Sequence, residues 1–318
     1  MNLILKYLFL LIGCVYFISS LKAANFNIAG EWLYMLPAIE QPYFVINRVQ
    51  VGLVEFQEER IRNHQDWQSG YRVDGICFFN CCQNSFQIRW THFPTFTESK
   101  QVRGNMLVPV ITIPAASFPD LFREVSISDS FDFYYSDILF GQNLLNNPIF
   151  SLDLLLGIQY DYLKLKEEVN YVANSGEIVC DFFSSRIKGI GIEVGSELAF
   201  RLSDCFLFHA KGYGSLLACK RIVSSERLIF EDGTLTGLGN LKNEDLWAVL
   251  PIANLRAGFI FSCKPLHMIF GGGYEMIFLT HAIDRYFVTS PDPAQEGSID
   301  QLMNFSLHGP YIRLGFCY

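Results

Sequence analysis

The sequence predicts an all-β fold, a transmembrane antiparallel β-barrel of about ten strands, with twelve as the main alternative. Three observations predict it. Residues 1–23 read as an export signal: Lys6 lies near the start, Leu8–Leu21 is mostly apolar, and the small residues Ala23 and Ala24 place cleavage near Ala23. The final run alternates apolar Ile312, Leu314, Phe316 and Tyr318 with Tyr311, Arg313 and Gly315. A last strand ending on an aromatic is what outer-membrane barrels use for closure and insertion, so Leu314, Phe316 and Tyr318 are the expected assembly signal. Third, the connections between strand-like runs alternate short and long.

The runs follow in order. Asn27–Leu36 sets Trp32, Tyr34 and Leu36 against Glu31. Gly70–Phe79 sets Tyr71, Val73 and Gly75 against Arg72 and Asp74, and Phe86–Phe93 sets Phe86, Ile88 and Trp90 against Gln87 and Arg89. Val125–Phe140 sets Phe131, Phe133 and Tyr135 against Ser130 and Asp132. Ile149–Tyr162 sets Phe150, Leu152, Leu154, Leu156, Ile158 and Tyr160 against Ser151, Asp153, Gln159 and Asp161. Ile187–Leu202 sets Ile190, Ile192, Val194 and Leu198 against Gly191, Glu193, Gly195 and Glu197. Phe206–Ala218, Leu246–Phe261, Leu266–Leu279 and Asn304–Tyr318 complete ten. Asn80–Ser85, Gly141–Pro148, Ser203–Cys205 and Ser262–Pro265 are short, as periplasmic turns are. Thr95–Glu124, Asn170–Arg186, Val223–Asp245 and Ala282–Met303 are long, as external loops are. Tyr43–Val54 is strand-like, but counting it as a span gives an odd number, so it reads as an extracellular arm.

Composition agrees. About 295 residues follow the signal, with no internal repeat or linker, and read as a single barrel domain, 24–318. Charged residues make up only 18% and mean hydropathy is +0.22, whereas soluble domains carry about 25% charge. Lipid or a large buried surface must account for the difference. Phe150–Ile158 is broken by Asp153, and nowhere after the signal does an apolar run reach the ~18 residues of a helical span. Leu11–Cys14 matches a lipoprotein box, but apolar Val15–Ile18 follows, so lipidation is not expected. The net charge of −8 without a Lys/Arg block argues against a nucleic-acid partner.

The inward faces collect the candidate pore lining: Glu31, Asp74, Asp132, Asp153, Asp161, Glu193, Glu197 and Glu275, with Arg72, Arg89, Arg201, Lys211, Arg256 and Arg313. On the lipid face each Arg or Lys at mid-depth would cost about 2–4 kcal/mol. Two readings stay open: the charges set the selectivity of a pore, or the two signs pair and fill a narrow barrel. Gly189, Gly191, Gly195, Gly271 and Gly273 read as sites of bending and close packing. Trp32, Tyr34, Trp90, Tyr160, Tyr162, Trp247 and Tyr318 suit interfacial belts.

Eight cysteines follow the signal, which in an exported chain implies an oxidising compartment and disulfides. The candidates are Cys77, Cys81, Cys82, Cys180, Cys205, Cys219, Cys263 and Cys317. Strand counting puts Cys81, Cys82, Cys205 and Cys263 in periplasmic turns, with Cys317 at the same rim. Intramolecular staples between adjacent turns are compatible with that placement. No second metal-spaced pair accompanies Cys77, Cys81 and Cys82, so neither a metal nor a cofactor is expected. His281 and Asp284 form a His–Asp pair without a nucleophile elbow, and the chain is not expected to be an enzyme.

Asp66-Trp67-Gln68-Ser69-Gly70-Tyr71-Arg72-Val73 followed by Phe86-Gln87-Ile88-Arg89-Trp90-Thr91-His92-Phe93 resembles the Legionella/chlamydial pore-forming outer-membrane protein family. Gly30–Tyr34, Lys188–Gly195, Ala210–Ala218, Gly271–Glu275 and Phe305–Gly309 fit it too. The resemblance implies a location in the bacterial outer membrane and passive passage of small hydrophilic solutes or ions. It implies lipid and the barrel-assembly machinery as partners, with disulfide-linked envelope proteins or a homo-oligomer. The chain departs from the family in being shorter and cysteine-rich. The alternatives are a structural or adhesive envelope protein without significant conductance, a barrel hydrolase, and an exported soluble β-protein.

Overall fold

The computed structural model describes residues 25–39, 45–50, 56–61, 66–79, 83–109, 122–263, 266–288 and 298–317. Signal residues 1–23, Cys81, Cys82 and Tyr318 lie outside them.

Twelve strands form one antiparallel sheet. They are β1 (Asn25–Ile39), β2 (Val45–Gln50), β3 (Phe56–Ile61), β4 (Gln68–Phe79), β5 (Asn84–Pro109), β6 (Phe122–Asn146), β7 (Phe150–Ala173), β8 (Ile178–Arg201), β9 (Phe206–Glu231), β10 (Thr234–Cys263), β11 (Met268–Val288) and β12 (Ser298–Cys317). Setting β2 and β3 aside, the other ten close a ring, because β1 pairs with both β4 and β12 and β5 pairs with β6. The β2–β3 hairpin is attached to the outer end of β5 through Val45↔Pro109, the arm expected between the first two spans.

Along the short-turn half of the barrel the strands turn an apolar face outward. Ile88, Ile138, Ile158, Ile192, Leu255 and Leu314 are exposed on it, where in the membrane they meet lipid. Phenylalanines mark the short-turn rim: Phe140, Phe200, Phe206, Phe259, Phe270 and Phe316. Tyr, Trp and His mark the other boundary, with Tyr134 stacked on Tyr162 at 4.7 Å and Tyr34 on Trp67 at 5.2 Å. Trp32, Trp90, Tyr160 and Trp247 also lie outward, as belt residues should.

The long connections are a correction. Much of Thr95–Glu124, Asn170–Arg186 and Val223–Asp245 is continuous strand rather than loop. β6 alone has 25 residues, about 80 Å at roughly 3.3 Å per residue, whereas a tilted span needs about 9–11 residues. The barrel wall therefore continues far beyond the membrane. β7 and β8 join there through residues 174–177, and β9 and β10 through Asp232 and Gly233, both at positive φ as a two-residue hairpin requires.

Candidate functional site

The inward side chains change character along every strand in the same order. Nearest the short-turn end, Lys211 pairs with Glu197 at 2.8 Å and Asp153 accepts from Asn143 at 2.6 Å. Above them lies an ionic layer. Arg256 donates twice to Glu31, at 2.7 and 2.6 Å, and Arg313 joins Glu31 at 2.6 Å to Asp74 at 2.7 Å. Arg72 donates twice to Glu275, at 2.7 Å each, and also to Glu31 at 3.1 Å. Its remaining donors reach Thr91 Oγ1 at 2.8 Å and the Tyr135 hydroxyl. The opposite side of the layer is Arg89, bonded to Asp137 at 2.7 Å and Glu193 at 3.4 Å and lying over the Tyr213 ring.

The register explains the assembly. Glu31 is paired across strands with both Arg72 and Arg313, and Arg256 with both Glu275 and Lys211. These side chains share one height and project into the same cross-section. Bidentate arginine–carboxylate pairs are the geometry that offsets part of the desolvation of both ions. The Glu31, Arg72 and Glu275 side chains have 0% solvent exposure, so water does not reach them.

An apolar layer follows further out. On β1 the inward face passes from Glu31 to Leu33 and Met35, on β5 from Arg89 to Phe93, on β6 from Asp137 to Phe133 and Phe131, and on β12 from Arg313 to Leu307 and Phe305. Phe131 and Phe305 stack at 4.9 Å across the lumen. Beyond that, Arg227 grips Asp181 at 2.6 and 2.9 Å beside a second apolar cluster around Val125, Val169 and Tyr171.

Most expected lining residues meet in this lumen: Glu31, Arg72, Asp74, Arg89, Asp153, Asp161, Glu193, Glu197, Lys211, Arg256, Glu275 and Arg313. Two do not. Asp132 points outward beside His92 at 3.6 Å, because Phe131, Phe133 and Tyr135 are the buried face of β6. Arg201 is exposed at the short-turn end of β8, past the last inward pair. Asp137 takes the place expected of Asp132, and flanking lipid-facing Ile138 and Phe140 are the signal that marks it. Tyr135, Asn254 and His209 also line the lumen, with His209 bonded to Tyr311 at 3.0 Å.

No two of the described cysteines, Cys77, Cys180, Cys205, Cys219, Cys263 and Cys317, are joined to each other. Cys205, Cys263 and Cys317 do gather at the short-turn rim, and Cys77 and Cys219 are buried within strands. His281 has positive φ at a break in the β11–β12 register, and the side chain of Asp284 lies outside the described residues.

The family model described as Legionella pneumophila major outer membrane protein precursor matches residues 20–318. The chain belongs to this family. Like the rest of the Legionella major outer membrane protein family, it is a protein of the bacterial outer membrane. No curated protein sequence matches it. Among solved structures it is similar to the Escherichia coli outer membrane protease OmpT, with 11% identity, 92% of this chain and 97% of that chain covered, and a TM-score of 0.46. A Pseudomonas aeruginosa FadL homologue follows at 8% identity, covering 95% and 91%, with a TM-score of 0.27. The Pseudomonas putida toluene transporter TodX gives 5% identity, covering 93% and 89%, and 0.28. These proteins share so little sequence and superpose so loosely that no activity carries across from them.

Proposed function

We propose that this protein is a non-catalytic barrel of the outer membrane whose lumen is closed at rest, serving the envelope as a structural wall rather than as an open diffusion pore. One observation carries the reading: the fully buried Arg72–Glu275–Glu31 layer lies directly beneath the apolar layer of Phe131 and Phe305. A hydrated ion would have to displace both. An apolar constriction opposes hydration, and the buried ion pairs would have to part before an ion could pass.

A second reading, passage of small hydrophilic solutes or ions through a closed but openable lumen, is favoured by the chemistry of the ionic layer. Replacing buried ion pairs by apolar residues is often neutral or stabilising, so retained ion pairs suit a barrier that opens. Planar-bilayer recording from refolded protein separates the two. Silence across voltage supports the structural wall, brief voltage-driven openings support the openable pore, and a steady open conductance removes the closed-lumen reading.

A further inference from the structure

On the outer surface, at the level of the aromatic belt, cations face cations. Lys164 of β7 is directly opposite Arg186 of β8, and Lys188 of β8 directly opposite Lys220 of β9. The alternation fixes their direction: Leu163, Leu165, Ile187, Cys219 and Arg221 are buried, so their neighbours point outward. Like charges directly opposite on one face of a sheet are destabilising, and here two such pairs lie side by side.

We propose that this patch binds a phosphorylated lipid headgroup of the outer leaflet. Its height fits. Lys188 is also opposite Tyr162, and Lys220 opposite Trp247, in the belt that sits at headgroup level. Ile190, Ile192 and Leu216 lie exposed on the same strands just below, an apolar strip for acyl chains. Arg186 adds a directed donor: its guanidinium bonds Tyr162, yet its buried Nε–H has no acceptor among the described residues. The acidic neighbours leave the centre cationic. Asp245 pairs with Lys220 at 2.6 Å and Asp132 is opposite Lys164, while nothing acidic is paired across from Arg186 or Lys188. A phosphate between the two rows relieves both repulsions at once and satisfies the arginine.

The test titrates refolded full-length protein in detergent with a diphosphorylated glucosamine-based glycolipid, its dephosphorylated form, and inorganic phosphate. The triple variant Lys164→Gln, Arg186→Gln, Lys188→Gln should bind the phosphorylated lipid at least tenfold more weakly. An equal charge change at Lys100, Arg103 and Arg123 should not weaken it. Millimolar inorganic phosphate should not compete. Equal binding of the dephosphorylated lipid, an unaffected triple variant, or an equally damaged control variant each overturns the proposal, and competition by inorganic phosphate overturns its lipid assignment. If the triple variant fails to fold, the wild-type comparison of the two lipids decides by itself.

Discussion

Arg72 on β4 and Glu275 on β11, 203 residues apart in the chain, meet inside the barrel through two parallel hydrogen bonds of 2.7 Å. Neither side chain has any exposure. The pair ties the two strands across the lumen, and Glu31 and Tyr135 extend it to β1 and β6.

Removing one partner leaves a buried charge without its counter-ion. Glu275→Leu should therefore destabilise the refolded barrel by about 3–5 kcal/mol, while Arg72→Met combined with Glu275→Leu should recover a large part of that loss. Urea unfolding followed by tryptophan fluorescence measures both. A double variant as damaged as the single one would mean that the pair contributes net stability of its own.

The two layers should act in series. Phe131→Ala with Phe305→Ala should lower stability by several kcal/mol, since each Phe→Ala change in a packed interior costs about 3–5 kcal/mol, yet leave bilayer conductance at the wild-type level. Adding Arg72→Ala and Arg256→Ala should introduce ion conductance. Full conductance after the phenylalanine changes alone would place the whole barrier in the apolar layer.

Two strand glycines, Gly157 facing the lumen and Gly30 facing outward, should differ sharply. A Cβ at Gly157 would run into the carbonyl oxygen of Ile138 on the neighbouring strand, whereas one at Gly30 would meet nothing within 4 Å. Gly157→Ala should cost about 1–3 kcal/mol through overpacking and reduce the folded fraction on heat-modifiability gels. Gly30→Ala should leave that fraction unchanged or slightly raised.

Thiol reactivity should follow exposure. Cys205 is exposed at the rim and Cys219 is buried in the lumen, so a maleimide reagent should label Cys205 in the folded barrel and Cys219 only after unfolding. At the outer end, burial pushes the Cys180 thiol above its usual range, so it should label more slowly than Cys205 at pH 7. Mass spectrometry of single-cysteine variants reads out all three rates. Rapid labelling of Cys219 in the native barrel would show that the lumen admits water-soluble reagents.

Alternation along each strand was legible in the sequence, and with it the barrel class, the ring of ten strands and the inward direction of residues such as Glu31, Arg72 and Arg256. The reason is local: where lipid lies outside, each strand must turn apolar residues out, and a period of two leaves one choice of face. That logic fails on β6. Asp132 lies above the lipid-facing Ile138 and Phe140, at the level where the outside turns polar and the inside turns apolar, so the polarity rule reverses while the strand keeps its phase. The length of the walls was hidden for the same reason, because strands outside the membrane lose the lipid-driven pattern. Whether the charges line a passage or close it depended on which carboxylate each arginine meets. Arg72 finds Glu275 through barrel closure and register rather than through anything within reach along the chain, and only the tertiary structure brings those two residues to one height.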